Sequence, residues 1–312
     1  MAPDITPPRI KQGWLRAVLF MLIFMVFLLP AGMLTGMFLM GDHDKHAAVP
    51  PTVIVLALFI TSVISILTTI EFRRFIDRKN AMSLGFSWRG YHQEAFTGFC
   101  LGPALLGLGT LILFGMKKLD WTDVSFHASD FFIALVLMCM IALSEELVFR
   151  GYILNNLLES MNKRAALGVS AVLFALAHGG NMGITSIAAI NLLLGGLLLG
   201  INYIYTRNLW FGIAFHFTWN FFQGPVLGYE VSGLSLQSVL RPDLNGPWWI
   251  TGMPFGFEGS LVTTFLFIIA LVLLFAAYEK RYEAGGMKSE VGSQKSEVGG
   301  RKPEKKKSEG KS

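Results

Sequence analysis

Residues 131–150, FFIALVLMCMIALSEELVFR, decide how the rest of the chain is to be read. The run is long enough to cross about 30 Å of hydrocarbon as an α-helix rising 1.5 Å per residue. Yet it ends in Glu145, Glu146 and Arg150, and an ionisable group at the centre of a span costs roughly 2.5 to 3.5 kcal/mol on insertion scales. A helix this apolar that keeps three charges holds them for a structural or a chemical reason. The surrounding composition agrees with a bilayer setting: of 312 residues, 53% are hydrophobic and 15% charged, with a mean hydropathy of +0.53. Soluble domains carry about 25% charged residues, so a soluble single-core globule is excluded.

Further apolar runs lie at 14–40, 52–70, 95–115, 184–206 and 260–279, with shorter ones at 165–178 and 209–224. Together they predict an all-α, polytopic membrane helical bundle of about eight transmembrane helices. The first run is too long for the apolar core of a signal peptide and lacks a small-residue cleavage site, so it is expected to be retained. Eight spans put both termini on one side. Leaving the tail aside, eleven Lys and Arg fall on the amino-terminal side and four on the other, a bias that places both termini in the cytoplasm of a multi-pass cell-membrane protein.

The predicted organisation is a cytoplasmic N-terminal segment at 1–13, a transmembrane helical domain at 14–280 with its motif-bearing core at about 130–224, and a disordered basic and acidic cytoplasmic tail at 281–312. In that tail KSEVG occurs twice. Ten of the 26 Lys and Arg follow Glu279, so the net charge of +5 belongs to the tail and no nucleic-acid partner is expected. Glu71 to Gln93 mixes basic and apolar residues, as a headgroup-layer helix or a solvated loop would. Pro225 to Glu258, rich in Gly, Pro and Trp, is expected to pack at the outer interface. Cys100 and Cys139 fall in apolar runs and are expected to be core residues, which argues against a disulfide framework or a thiolate metal site.

Few ionisable groups sit in apolar surroundings: Glu145, Glu146, Arg150, His178 and His216. Spans one to three are expected to hold none. Glu146 and Arg150, four apart, share a helix face and can pair. Glu145 is left on a neighbouring face without a local counter-ion, and burial raises such a carboxylate toward the pKa a general acid or base needs. His178 closes VLFALAHGGN four residues after Phe174, and His216 stands four before Asn220 in FHFTWNFF, on one helix face. Singly, each histidine reads best as a satisfied core residue. A carboxylate, two histidines and an amide on three separate spans read better as one site. Asn191 and Asn202 add neutral polarity nearby, and Gly196 with Gly200 has the G-x-x-x-G spacing of closely packed helices.

In order and type, EELVFRG (Glu145, Glu146, Arg150), FALAH (Phe174, His178) and HFTWN (His216, Asn220) resemble the three motifs of the CAAX protease and bacteriocin-processing (CPBP, Abi-type) family of intramembrane endopeptidases. The resemblance covers about 130–224. It implies hydrolysis of a peptide bond near the cytoplasmic leaflet, with Glu145 activating water, His178 helping to position it, and His216 and Asn220 forming an oxyanion hole. Phe174, Glu146 and Arg150 would support the site, or Arg150 would meet a substrate carboxylate. No cofactor is expected on the favoured glutamate mechanism. The alternative is zinc held by Glu145, His178 and His216, residue types that zinc accepts, but this leaves only Glu146 as general base, and Glu146 has Arg150 as a partner.

The expected partners are a peptide or protein substrate, free or membrane-associated, and the lipid bilayer. Two other classes compete. A non-catalytic bacteriocin-immunity or export-assisting protein would use the site for recognition alone. A transporter would show corresponding broken spans in two repeated halves, whereas here the polar residues crowd into spans four to seven. Helix rise sets a further expectation: with the fourth span leaving the membrane near Gly151, Glu145 and His216 lie about 9 and 10 Å from the cytoplasmic boundary and His178 about 20 Å, a mismatch that a tilted or wrongly bounded fifth span would explain.

Overall fold

The computed structural model describes the backbone of residues 7–40 and 51–299 and the side chains of 7–27 and 52–282. All eight apolar runs are helical: α1 (Gly13–Met40), α2 (Pro51–Phe75), α3 (His92–Gly115), α4 (Ala128–Glu146), α5 (Lys163–Ala177), α6 (Ser186–Ile201), α7 (Trp210–Phe221) and α8 (Leu261–Gly299). Among the described residues, five helical stretches are long and apolar enough to cross a membrane: Thr52–Phe75, His92–Gly115, Ala128–Leu157, Ser186–Thr206 and Leu261–Tyr282. The chain is a helical, multi-pass membrane protein. The two short runs give helices of 15 and 12 residues, only about 22 and 18 Å long. Eight full-length crossings are therefore more than these helices supply by themselves.

The fourth span is longer than its charges suggest. α4 runs on through a π-helical stretch, Leu147–Leu154, and a last turn, Asn155–Leu157, so it ends at Leu157 rather than Gly151. Glu145 then lies about 18 Å from that end and His178 about 22 Å from the start of α5 at Lys163. The mismatch in depth disappears without tilting α5. α7 begins deeper, because Leu209 sits level with Gly151: a Cβ on Gly151 would be 3.5 Å from Leu209 Cδ1. His216 reaches the same layer with only about 9 Å of helix.

At the end marked by Leu157 the bundle is closed by buried charge. Asp77, fully buried, accepts from Arg16 Nη1 at 3.0 Å and the Tyr152 hydroxyl at 3.2 Å on Oδ1, and from Arg73 Nη1 at 2.7 Å and Asn156 Nδ2 at 3.3 Å on Oδ2. Arg16 Nη2 also bonds Glu159, which pairs with Lys79 at 3.0 Å. Spans one to three were expected to hold no buried charge. Arg16, Arg73 and also Glu94 are buried, and the stretch from Glu71 supplies part of the core rather than only a headgroup or solvent layer.

At the opposite end, Leu119–Val124 (β1) and Leu240–Leu244 (β2) form an antiparallel ribbon with Leu119 opposite Leu244 and an irregularity between Trp121 and Asp123. The chain between Pro225 and Ser260 folds inward from this ribbon. Gly233 N–H donates to Phe255 O at 2.8 Å, and Asn181 Nδ2 donates to Ser232 O at 3.1 Å, so the outer stretch covers the α5–α6 turn. α5 and α6 pack closely at Gly196, where a Cβ would come within 2.9 Å of Ala171 Cα.

Cys100 and Cys139 are free and exposed on their helices, not core residues as expected: an apolar helix in lipid presents apolar side chains outward as well as inward. α8 keeps helical backbone as far as Gly299, where a structureless tail was expected from 281. Composition excluded burial there, not helicity, and a span already formed extends a helix without a new nucleus. The expected segments at 1–6 and 300–312 lie outside the described residues.

Candidate active site

The π-helical stretch after Glu146 lies where such bulges often mark function. It sets Glu145 and Glu146, neighbours in sequence, in different surroundings. Glu146 is fully buried, and its Oε1 accepts from Arg150 Nη1 at 2.7 Å and from His216 Nδ1 at 3.0 Å. Arg150 also donates through Nη2 to Gly196 O at 3.1 Å and lies over the Phe174 ring, 4.6 Å from its centroid. The pair is thus tied to α6 and, through His216, to α7. Gly212 permits this approach: a Cβ there would stand 2.6 Å from Glu146 Oε2.

Glu145 faces the other way. Its Oε2 is buried and accepts no hydrogen bond. The nearest ionisable atoms are His178 Nε2 at 3.6 Å and His216 Nε2 at 3.8 Å, both beyond hydrogen-bonding distance. Each imidazole is oriented by its other nitrogen. His178 Nδ1 lies 2.8 Å from Phe174 O; a carbonyl oxygen only accepts, so Nδ1 carries a proton and Nε2 faces Glu145. His216 is held in the same manner, with Nδ1 against Glu146 Oε1. The Phe174 ring packs against both imidazoles, with centroids 4.5 Å from His178 and 6.2 Å from His216.

These groups border a cavity of about 500 Å³. Glu145, Phe174, His178, His216 and Asn220 line it, together with apolar side chains such as Leu58, Met138 and Phe215. Asn220, one turn beyond His216, is buried and makes no hydrogen bond among the described residues. Glu146 and Arg150 do not line the cavity. Arg150 is 1% exposed and engaged by Glu146 and Gly196, so the expected contact between Arg150 and a substrate carboxylate has no access.

Asn191 and Asn202 are both engaged in hydrogen bonds. Asn191 donates to Glu258 O at 2.7 Å and Ser260 O at 2.8 Å and accepts from Thr264, which anchors the end of the outer stretch. Asn202 accepts from the Thr206 hydroxyl. Glu258 went unnoticed in the sequence because polar residues in a loop are presumed solvated. It lines the cavity, with Oε1 bonded by the Ser232 hydroxyl at 2.8 Å and by the Ser232 N–H. Burial pushes its carboxyl above the usual range, against the lowering effect of the Ser232 hydrogen bonds. Nothing in its local sequence signals this placement.

No curated protein matches the chain. Residues 126–222, under a third of it, match the family model described as type II CAAX prenyl endopeptidase Rce1-like, a segment that contains all three motifs and most of the cavity-lining polar groups. The match supports an intramembrane endopeptidase acting on a peptide or protein substrate. Through this segment the chain is recognised as similar to the CAAX protease and bacteriocin-processing family.

Proposed function

We propose that the protein is a cell-membrane endopeptidase in which Glu145 activates water for attack on a peptide bond. The observation that supports this best is the Glu145 Oε2 atom, buried without a hydrogen bond beside two imidazole nitrogens at the wall of a cavity. Glu145 Oε2, His178 Nε2 and His216 Nε2 converge at the cavity wall, where a water on the cavity side of them would be within reach of carboxylate and imidazole together. Glu145 would take a proton from that water and return it to the leaving amine. His178 would accept the water's second proton in a hydrogen bond, its tautomer held by Phe174 O.

Asn220 Nδ2 would donate to the oxyanion of the tetrahedral intermediate. His216 can join it only as an imidazolium, because its one proton in the neutral form is committed to Glu146. Glu146 is then the counter-ion, and Arg150 holds Glu146 in place. Arg150 and Glu146 act through His216 and are positioning residues.

The zinc alternative would use Glu145 Oε2, His178 Nε2 and His216 Nε2 as ligands and leave Glu146 to act as base. Glu146 Oε1 already has two donors and the side chain is walled off from the cavity, which favours the glutamate mechanism. The Lys/Arg bias supports cytoplasmic termini.

The test compares Glu145→Ala and His216→Ala with wild type by peptidomics of the host membrane fraction, after checking that each variant accumulates normally. Loss of the same cleavage products in both supports the proposal. An unchanged peptide pattern in both contradicts it, and so would a stoichiometric zinc in the purified protein for the metal-free mechanism.

A further inference from the structure

We propose that Glu258 selects peptide substrates carrying a positively charged group, a lysine or arginine side chain or a free amino terminus, held at the outer end of the cavity. The inference deepens the endopeptidase reading and rests on the same cavity being where substrate binds.

Glu258 is prepared to receive a ligand. Its backbone carbonyl is fixed by Asn191 Nδ2 at 2.7 Å and its Oε1 by the Ser232 hydroxyl and N–H. The second oxygen, Oε2, accepts no hydrogen bond among the described residues. The side chain borders a cavity whose walls are otherwise largely apolar, where a carboxylate lacking a partner is costly and an incoming cation is correspondingly favoured.

The charge balance of the cavity points the same way. Glu145 and Glu258 line it with two imidazoles, His178 and His216, and no lysine or arginine lines it among the described residues. Arg150, the nearest candidate, is spent on Glu146 and Gly196. A basic group finds a fixed carboxylate oxygen, whereas a substrate carboxylate would have only the two imidazoles to meet, and both are already turned toward Glu145. Like charges brought together in a low-dielectric site are penalised, so the cavity discriminates against acidic peptides as well as for basic ones.

The test uses fluorescent peptides in matched pairs that differ only by lysine or norleucine at one scanned position, with the full chain in lipid nanodiscs. Binding is read by anisotropy on the Glu145→Gln form, and cleavage on the form that keeps Glu145. At one position the lysine peptide is expected to bind at least about tenfold more tightly, and Glu258→Gln is expected to bring the ratio near one. Equal binding at every position overturns the inference without needing any Glu258 variant. A ratio unchanged by Glu258→Gln, in protein of wild-type melting temperature, overturns it too. A charge preference in binding with no peptide cleaved would leave this inference standing and remove the endopeptidase reading instead.

Discussion

Two buried clusters of charge among the described residues differ in how far the carboxylate at their centre is satisfied. Around Asp77, two arginines, a tyrosine and an asparagine supply four donors to two carboxylate oxygens. Around Glu145, two imidazoles approach a carboxylate oxygen without bonding it, and a cavity of about 500 Å³ adjoins. Both are buried and both join several helices. Burial of charge therefore does not mark a site by itself; free hydrogen-bonding capacity next to space does. Glu146 shows the distinction within one dipeptide: each glutamate has an Oε2 without a hydrogen bond, but Glu146 is held by Arg150 and His216 away from the cavity while Glu145 lines it.

Opposite failures should follow from opening the closed cluster and from emptying the open one. Asp77→Ala leaves Arg16 and Arg73 with a shared partner missing, and a buried pair broken on one side costs about 3 to 5 kcal/mol. Thermal melting in detergent should fall sharply and membrane accumulation with it; a melting temperature within a degree or two of wild type would show that the cluster is not what closes this end. Asn220→Ala should do the reverse, lowering turnover on the order of 100-fold to 1000-fold with melting preserved. A comparable fall in melting would make Asn220 a packing residue.

The smallest effect concerns the rim of the closed cluster. Burial would raise the Glu159 carboxyl, but the hydrogen bonds from Lys79 and Arg16 outweigh it and hold its pKa below the ordinary value of 4.5. A depressed carboxylate adds stability above the unfolded pKa and loses it as pH falls through the folded one. Wild type should therefore lose slightly more stability than Glu159→Gln as pH falls below 4.5, read as a difference in melting temperature. The effect is small because the side chain is one-third exposed; parallel melting curves for the two proteins would contradict it.

Legibility in the sequence divided along the same line. The open cluster stood out because Glu145, His178 and His216 are costly exceptions within apolar runs, and the structure brings the side chains around one cavity. The helical bundle was equally plain, since every long apolar run is a helix. The closed cluster was hidden. Arg73 and Asp77, four apart at the end of a span, look the same on paper whether they meet solvent or the Tyr152 hydroxyl, and only tertiary packing decides. Glu258 was hidden likewise, because it is carried into the cavity by a fold of the outer stretch that leaves no periodic signature. The end of the fourth span was placed too early, at Gly151, because Arg150 and Gly151 look like a boundary. In the structure a π-helical stretch carries both through a fully buried run.

The role of Glu145 can be tested in one comparison: turnover of a cleaved peptide by purified Glu145→Gln and wild-type protein at matched melting temperature. The substitution keeps size and polarity and removes the base, so turnover should fall by about 100-fold to 10,000-fold, the usual range for a positioned general base. Turnover within a few-fold of wild type, in protein of unchanged stability, would place the chemistry elsewhere.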